Sequence, residues 1–314
     1  MPNLEVAKPE LREEARKSVE LDSANRASSD GQPVLPVSVI IAARNEARNL
    51  PRCLQSLKEC GEVFVIDSQS SDATTQIAQA YGAKVVQFHY AGGWPKKRQW
   101  AMESLPLAHD WTLLLDADEA LTPELIEEIR QAVQNPEVNS YYLGLQMYFL
   151  GRPLRHSGAK FYKLALFRTG KGRFECRLRD QDASMCDMEV HEHVIVDGPS
   201  AKLRNPVMHH NVESLSRYIQ KHNEYSNWDA KVWLESDNSN DLPPSLFGNQ
   251  AQRRRWLRKY FFAVPGSPIL LFLYRYFFCL GFLDGIPGLI YCAFQGIQFF
   301  NIKAKIYELR LTKG

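Results

Sequence analysis

Three carboxylates close a short apolar run at Trp111-Thr112-Leu113-Leu114-Leu115-Asp116-Ala117-Asp118-Glu119. Asp116 and Asp118 stand two apart, so extended backbone continued through them would point both to one side, with Ala117 turned away. Two hard oxygen ligands on one side suit Mg²⁺ or Mn²⁺, which keep several waters and take their remaining ligands from substrate phosphates. The same residues also read as a solvated acidic turn, because Asp and Glu favour the start of a following helix in any case. Thr122-Pro123-Glu124 supplies that start, with an N-cap type and a proline at the first helical position.

The apolar run has strand length, and the elements before it share its design. Val37 to Ala43 is a β-branched run that stops at Arg44-Asn45-Glu46. A helix with Leu50, Cys53, Leu54 and Leu57 on one face follows, closed by Gly61. Glu62 to Ile66 predicts a second strand, ending at Asp67-Ser68-Gln69-Ser70-Ser71-Asp72. A helix capped by Ser71 or Asp72 then runs to about Gly82, and Lys84 to Phe88 predicts a third strand. This alternation implies a parallel sheet with right-handed crossovers, whose ligands bind at the carboxyl ends of the strands. There Asp67 would accept from a base or ribose, the backbone around Asn45 would border a nucleotide, and Lys96, Lys97 and Arg98 would neutralise phosphates. The competing reading makes Asp67 a turn cap and the basic run a solvated face. Neither G-x-G-x-x-G nor G-x-x-x-x-G-K-[ST] occurs, which argues against dehydrogenases and P-loop enzymes.

The bulk numbers set wide limits. A chain of 314 residues with 45% hydrophobic and 24% charged residues is ordinary globular material for one large domain or two. A formal net charge of +2 decides nothing about polyanions, and no nucleic-acid partner is expected. The six cysteines form no Cys-x-x-Cys pair, so reduced thiols in a cytosolic setting are the simplest account. Residues 1–36 lack an apolar core and read as a disordered tail, with a short helix between Pro9 and Leu21.

Together, Val39 to Glu46, Val65 to Asp72 and Leu115 to Glu119 resemble the signatures of family 2 glycosyltransferases with the GT-A fold. Trp94-Pro95-Lys96-Lys97-Arg98-Gln99-Trp100-Ala101, Leu166-Phe167-Arg168 and Val190-His191-Glu192 narrow the likeness to lipopolysaccharide-core β-1,4-glucosyltransferases. The resemblance implies an α/β fold with a mixed, Rossmann-like sheet. It also implies that Ala42, Asn45, Glu46 and Asp67 hold the nucleotide and that Arg98 approaches it. Asp116 and Asp118 would contact ribose and a metal-bound diphosphate. The chemistry agrees, since a departing nucleoside diphosphate needs a metal or cations close by.

In the second half, Ser140 to Phe149 and Lys163 to Arg168 predict strands. The loop from Gly151 continues past His156 into Ser157-Gly158-Ala159-Lys160-Phe161-Tyr162, where the similar enzymes carry a tryptophan-rich acceptor loop. Lys171, Arg173, Arg177 and Arg179 bring positive charge near an acceptor, which suits an anionic glycolipid or else is a solvated basic loop. As a strand, Glu189 to Val194 would put Glu189, His191 and His193 on one side and Glu192 on the other. A zinc site from the two histidines lacks a convincing further ligand. Inverting transfer needs a carboxylate to take the acceptor hydroxyl's proton. Glu192 matches the His-Glu pair of the similar enzymes and is the candidate base, with Asp187 and Glu189 in reserve, since alternation would bury Glu192 among valines. His209-His210 would add a metal or phosphate contact, or else form polar surface. Ser214 to Trp233 predicts an amphipathic helix with Leu215, Tyr218, Ile219, His222 and Tyr225 on one face.

A polar stretch from Asp237 to Gln252 reads as a linker. Beyond it come the basic cluster Arg253 to Lys259 and an apolar, aromatic stretch from Tyr260 to Phe300, interrupted by Arg275 and Asp284. Its uncharged runs fall short of comfortable spanning helices and describe helices lying in a membrane interface, or else packed on the catalytic domain. Gly281-Phe282-Leu283-Asp284-Gly285 also occurs in the similar glucosyltransferases, whose C-terminal region associates with the membrane. The expected domains are a tail (1–36), a GT-A domain (37–240) and a linker with interfacial helices (241–314). The expected activity is metal-dependent, inverting transfer of a hexose, from UDP-glucose, to a membrane glycolipid such as lipopolysaccharide core. It would take place on the cytoplasmic face of the inner membrane. A nucleotidyltransferase and a non-catalytic membrane adaptor are the alternatives; the first usually opens on a glycine-rich loop, which Ala42-Ala43-Arg44-Asn45 does not supply.

Overall fold

The structure, a computed structural model, describes residues 34–178, 187, 189, 192–210, 214–235, 242–248 and 250–312. The helix expected between Pro9 and Leu21, Arg179, Cys186, Val190, His191 and the Asp237 end of the linker lie outside the described residues.

In chain order the elements are β1 (Leu35–Ala43), α1 (Leu50–Gln55), β2 (Cys60–Asp67), α2 (Thr74–Ala80), β3 (Lys84–Gln87), α3 (Lys97–Ser104), β4 (Trp111–Asp116) and β5 (Glu119–Ala120). There follow α4 (Pro123–Ala132), β6 (Ser140–Phe149), β7 (Arg152–Pro153), β8 (Phe161–Arg168), β9 (Gly172–Phe174), β10 (Val194–Val196), β11 (Ser200–Lys202) and β12 (Val207–His210). The C-terminal part holds α5 (Leu215–Glu235), α6 (Gln250–Ala263), α7 (Ser267–Leu273), a π turn (Tyr274–Phe278), a 3₁₀ turn (Gly281–Asp284) and α8 (Gly285–Thr312).

The main sheet runs β3-β2-β1-β4-β8-β6-β12-β5, with β7 and β11 also on β6, while β9 and β10 pair apart from it. Strands β3, β2, β1 and β4 are parallel, as the helix-strand alternation requires, and β8 enters antiparallel to both β4 and β6. The result is the mixed α/β sheet expected from the sequence. Both faces of β1 are covered, which is why it shows no polar alternation. Val39 and Ile41 pack with Leu50 and Leu54 of α1 and Leu125 and Ile129 of α4, whereas Ile40 faces Ala101 and Met102 of α3.

Several local expectations shift. β1 begins at Leu35, inside the stretch assigned to the tail, because Leu35 is fully buried and pairs with Cys60. Gly61 belongs to β2 and does not close α1. A Cβ there would lie 1.9 Å from His109 Nε2, so the glycine makes room for that ring. Neither Ser71 nor Asp72 is the N-cap of α2, although Asp72 Oδ1 accepts the Thr74 N–H at 3.0 Å just before it. On α5, Tyr218 is buried but Ile219 is 51% exposed. One residue turns a helix by about 100°, and the covering elements reach only the Tyr218 side, where Phe149, Tyr291 and Phe294 pack.

The C-terminal arm packs one face onto this body. Ile302 and Ile306 of α8 form a small core with Ala230 of α5 and Phe262 of α6. Asp284 accepts the backbone N–H of Arg155 and His156, each at 3.0 Å, and the Ser157 hydroxyl at 2.6 Å. Arg275 donates to the Ser157 carbonyl at 3.0 Å. The arm therefore fixes the loop that follows β7. Its other face leaves Ile269, Tyr274, Phe278, Leu283, Ile286 and Phe300 exposed. Among the described residues no single helix is long and apolar enough to cross a membrane; the segments Ser267–Phe278 and Gly281–Leu311 pass that test only together, and they meet at a 73° bend.

Candidate active site

The carboxyl ends of three parallel strands bring the sequence candidates into register. Ala42 pairs with both Ile66 and Asp116, and Ala43 with Asp67. Asn45 follows in the left-handed region, with φ 56°, a conformation Asn tolerates better than most residues. Its N–H donates to Ser70 Oγ and its Oδ1 accepts the Ser71 N–H, both at 2.8 Å, stitching the first loop to the second.

Asp67 is fully buried and caps that second loop. Its carboxylate accepts from the Ser70 N–H and from Gln87 Nε2, each at 3.0 Å, and from the Ser70 hydroxyl. Glu46 faces α5, where Arg217 and Lys221 reach it at 3.0 and 3.4 Å. In this arrangement Glu46 is a strut between the first loop and the helix.

The basic run divides. Lys96 and Lys97 are fully buried, which corrects the expectation that they meet phosphate or solvent. Lys96 pairs with Glu192 at 3.0 Å and lies 5.0 Å from the centre of the Trp228 ring; Lys97 pairs with Asp187 at 3.1 Å and donates to the Ala43 carbonyl at 3.0 Å. A buried ammonium needs such partners, since desolvating it unpaired is prohibitive. Arg98 holds Asp116 at the end of β4 and, unlike the two lysines, lines the cavity there.

β4 ends at Asp116, and Ala117-Asp118 form a turn. The two-residue alternation therefore does not carry through to Asp118, and the two aspartates part company. Glu119 enters instead. Asp116, Glu119 and His209 place ligand atoms within 4.8 Å of one another. β12 brings His209 opposite Glu119 by antiparallel pairing, with Nδ1 at 3.3 Å from Glu119 and 3.7 Å from Asp118. His210 stacks on Tyr148 with ring centres 4.2 Å apart. Lys163 of β8 binds Glu119 and stands 3.9 Å from Asp116. Burial works against the Glu119 carboxylate, but Lys163 and His209 outweigh it and hold its pKa down at about 2. Burial likewise opposes a charged His209, yet Asp118 and Glu119 raise its pKa.

The site suits a divalent cation. Asp118 Oδ1 is buried without a hydrogen-bond partner, and the neighbouring donors are carboxylate oxygen and imidazole nitrogen, which suit Mn²⁺ and, for the oxygens, Mg²⁺. Asp116, Glu119 and His209 are the residues that would hold it, with the Asp118 carboxylate 3.7 Å from His209 as a further oxygen donor. Glu119 as a ligand, Lys163 and the pairing of His209 with Glu119 escaped the sequence reading, because nothing local announces that β12 will lie beside β5.

A cavity of about 630 Å³ opens from this cluster. Asp116, Arg98, Lys163, Tyr162 and Glu192 line it, and the arm contributes Leu242 and Arg254. Of the three candidate bases Glu192 alone lines this space. The expected strand alternation fails here, since β10 begins only at Val194 and both Glu189 and Glu192 are buried. Glu189 accepts the backbone N–H groups of Arg98 and Gln99 at 3.3 and 2.9 Å, capping the start of α3. Asp187 is taken by Ser68 and Lys97. Glu192 accepts from Lys96 and, at 3.1 Å, from the Arg177 N–H. Burial raises its pKa to about 7, with Glu189 adding to the rise and Lys96 and the Arg177 N–H opposing it. His193 pairs with Glu175 at 2.9 Å, which gives it a structural partner in place of zinc. Of the basic residues expected near an acceptor, Lys171, Arg173 and Arg177 do not line the cavity.

Comparison with known proteins identifies similar chains. The model of the glycosyl transferase family 2 matches residues 38–194. A lipopolysaccharide core biosynthesis glycosyltransferase, LpsC of Rhizobium meliloti, is 26% identical over 291 residues, covering 90% of this chain and 96% of its own. An uncharacterized glycosyltransferase of Rickettsia conorii is 30% identical over 202 residues, covering 62% of this chain and 69% of its own. Among solved structures, S. aureus TarS in complex with UDP-GlcNAc aligns with a TM-score of 0.41 at 18% identity, over 88% of this chain and 92% of that one.

Proposed function

Since the chain belongs to glycosyltransferase family 2, we propose that it moves a hexose, from UDP-glucose, with inversion onto a membrane-held glycolipid such as lipopolysaccharide core. The observation that carries this reading is the cavity shared by Glu192, Asp116 and Arg98. In the proposed reaction the acceptor hydroxyl oxygen bonds to the anomeric carbon as the bond to the diphosphate breaks, and Glu192 takes the hydroxyl proton. A carboxylate with a pKa near 7 is well matched to that task at neutral pH. Arg98 and Lys163 are cations at the place where diphosphate charge would gather. A divalent ion held by Asp116, Asp118, Glu119 and His209 would offset the remaining charge.

The relative that acts in lipopolysaccharide core biosynthesis supports the acceptor class. The exposed apolar face of the arm, beginning next to the basic helix α6, supports a peripheral place on the cytoplasmic face of the inner membrane. Two measurements test the proposal. Melting of the purified protein with UDP, GDP or CDP, with and without Mn²⁺, is expected to show stabilisation by UDP that needs the metal, about 2.7 kcal/mol at a hundred times the dissociation constant. Preference for GDP or CDP would remove the uridine donor. Sedimentation with phosphatidylglycerol vesicles is expected to carry the protein down at low salt, and a protein left in the supernatant would remove the membrane placement.

A further inference from the structure

The arm supplies the cavity with a cation, Arg254, that no carboxylate among the described residues compensates. Arg255 and Arg258, on the same helix, are paired, the first with Glu175 and the second with Asp229 at 2.9 Å. Arg98 and Lys163, on the sheet side of the cavity, are paired with Asp116 and Glu119. Arg254 also lines the cavity, yet among the described residues no carboxylate lies within ion-pair distance of it. It rests over the Phe161 ring at 5.5 Å. Partial burial and the like charge of Arg275 both weaken its hold on its proton. A guanidinium presents a planar fork of donors matched to carboxylate or phosphate. Tyr162, 39% exposed on the same cavity, offers a ring face for a sugar.

We infer that Arg254 is the counter-ion for a negatively charged group on the acceptor, and that the acceptor is an anionic sugar, a uronate or a sugar phosphate. The inference rests on the transfer reading above for the word acceptor, and on the cavity alone for the anion. It joins two parts of the molecule, because α6 carries the selecting residue and begins the arm that would lie on lipid. The acceptor's charge would thus be read by the same segment that brings the enzyme to the membrane.

The test is titration of the enzyme, loaded with UDP and Mn²⁺, with methyl glucuronide, glucose 6-phosphate, methyl glucoside and inorganic phosphate, followed by ligand-observed NMR. Wild type is compared with Arg254→Gln and with Arg253→Gln, which removes an equal charge one residue away. We expect both anionic sugars to bind about tenfold or more tightly than the neutral glucoside and inorganic phosphate. That preference should persist in Arg253→Gln and vanish in Arg254→Gln, while UDP still stabilises all three proteins. Equal binding of charged and neutral sugars, equal losses in both variants, or phosphate alone matching the sugars would each overturn the inference. A protein that ignores UDP yet binds uronate through Arg254 would instead remove the transferase reading and keep the anion site.

Discussion

Glu192→Gln is expected to lower the transfer rate by about 10²- to 10⁴-fold, the range associated with loss of a positioned general base, while UDP binding in the presence of metal persists. The two readouts separate because Glu192 lies on the acceptor side of the cavity chemistry, whereas the donor's diphosphate is expected at the Asp116 cluster. The variant also leaves Lys96 buried without its carboxylate, and breaking one partner of such a pair costs about 3–5 kcal/mol. A second substitution keeps the prediction sharp. Glu192→Gln combined with Lys96→Met removes both charges and should regain stability without regaining activity. Activity returning with stability would mean that Glu192 only props up the fold.

The pH dependence follows from the same carboxyl group. Lys96, Glu189 and the Arg177 N–H are the groups that act on it, and burial dominates, raising its pKa to about 7. Because the base must be ionised, the rate should climb as pH rises through about 7 and then level off. Its contribution to stability runs the opposite way. A carboxyl whose folded pKa is raised stabilises the fold below its unfolded pKa, and that contribution is lost as pH rises through the folded value. The stability difference between wild type and Glu192→Gln should therefore change between about pH 4.5 and 7. A rate profile flat across neutrality would exclude Glu192 as the titrating base.

Asp118→Asn is expected to abolish the metal-dependent part of UDP stabilisation, about 2.7 kcal/mol at a hundred times the dissociation constant, with little change in the melting temperature of the ligand-free protein. Asp118 Oδ1 has no hydrogen-bond partner to lose, so the substitution gives up only its longer-range attraction to His209 at 3.7 Å. Asp116 is a poorer choice, because Arg98 and Lys163 already lean on it and its removal would disturb both. Undiminished Mn²⁺-dependent stabilisation in Asp118→Asn would place the ion, if one binds, on Asp116, Glu119 and His209 alone.

Much of the scaffold was legible in the chain. The runs Val37 to Ala43 and Trp111 to Leu115 read as buried strands, and the polar residues that stop them were expected to gather at one edge. Asp116, Arg98 and Glu192 were named from sequence and meet on one cavity. Yet Glu192 came from the His-Glu resemblance, and periodicity pointed away from it. Local pattern fails at that point because β10 starts only at Val194, so the side chain at 192 is placed by Lys96, 96 residues earlier.

By itself the sequence determined the parallel strands, the acidic edge and the apolar C-terminal arm, since each follows from the burial periodicity of contiguous residues. Only the tertiary structure decided that Lys96 and Lys97 are interior struts, that Glu119 and His209 join Asp116, and that Arg254 lines the cavity with no carboxylate among the described residues in ion-pair distance. Those outcomes depend on which distant charges meet in a dry space. A buried charge must find its partner wherever the fold brings one, and spacing along the chain carries no record of that meeting.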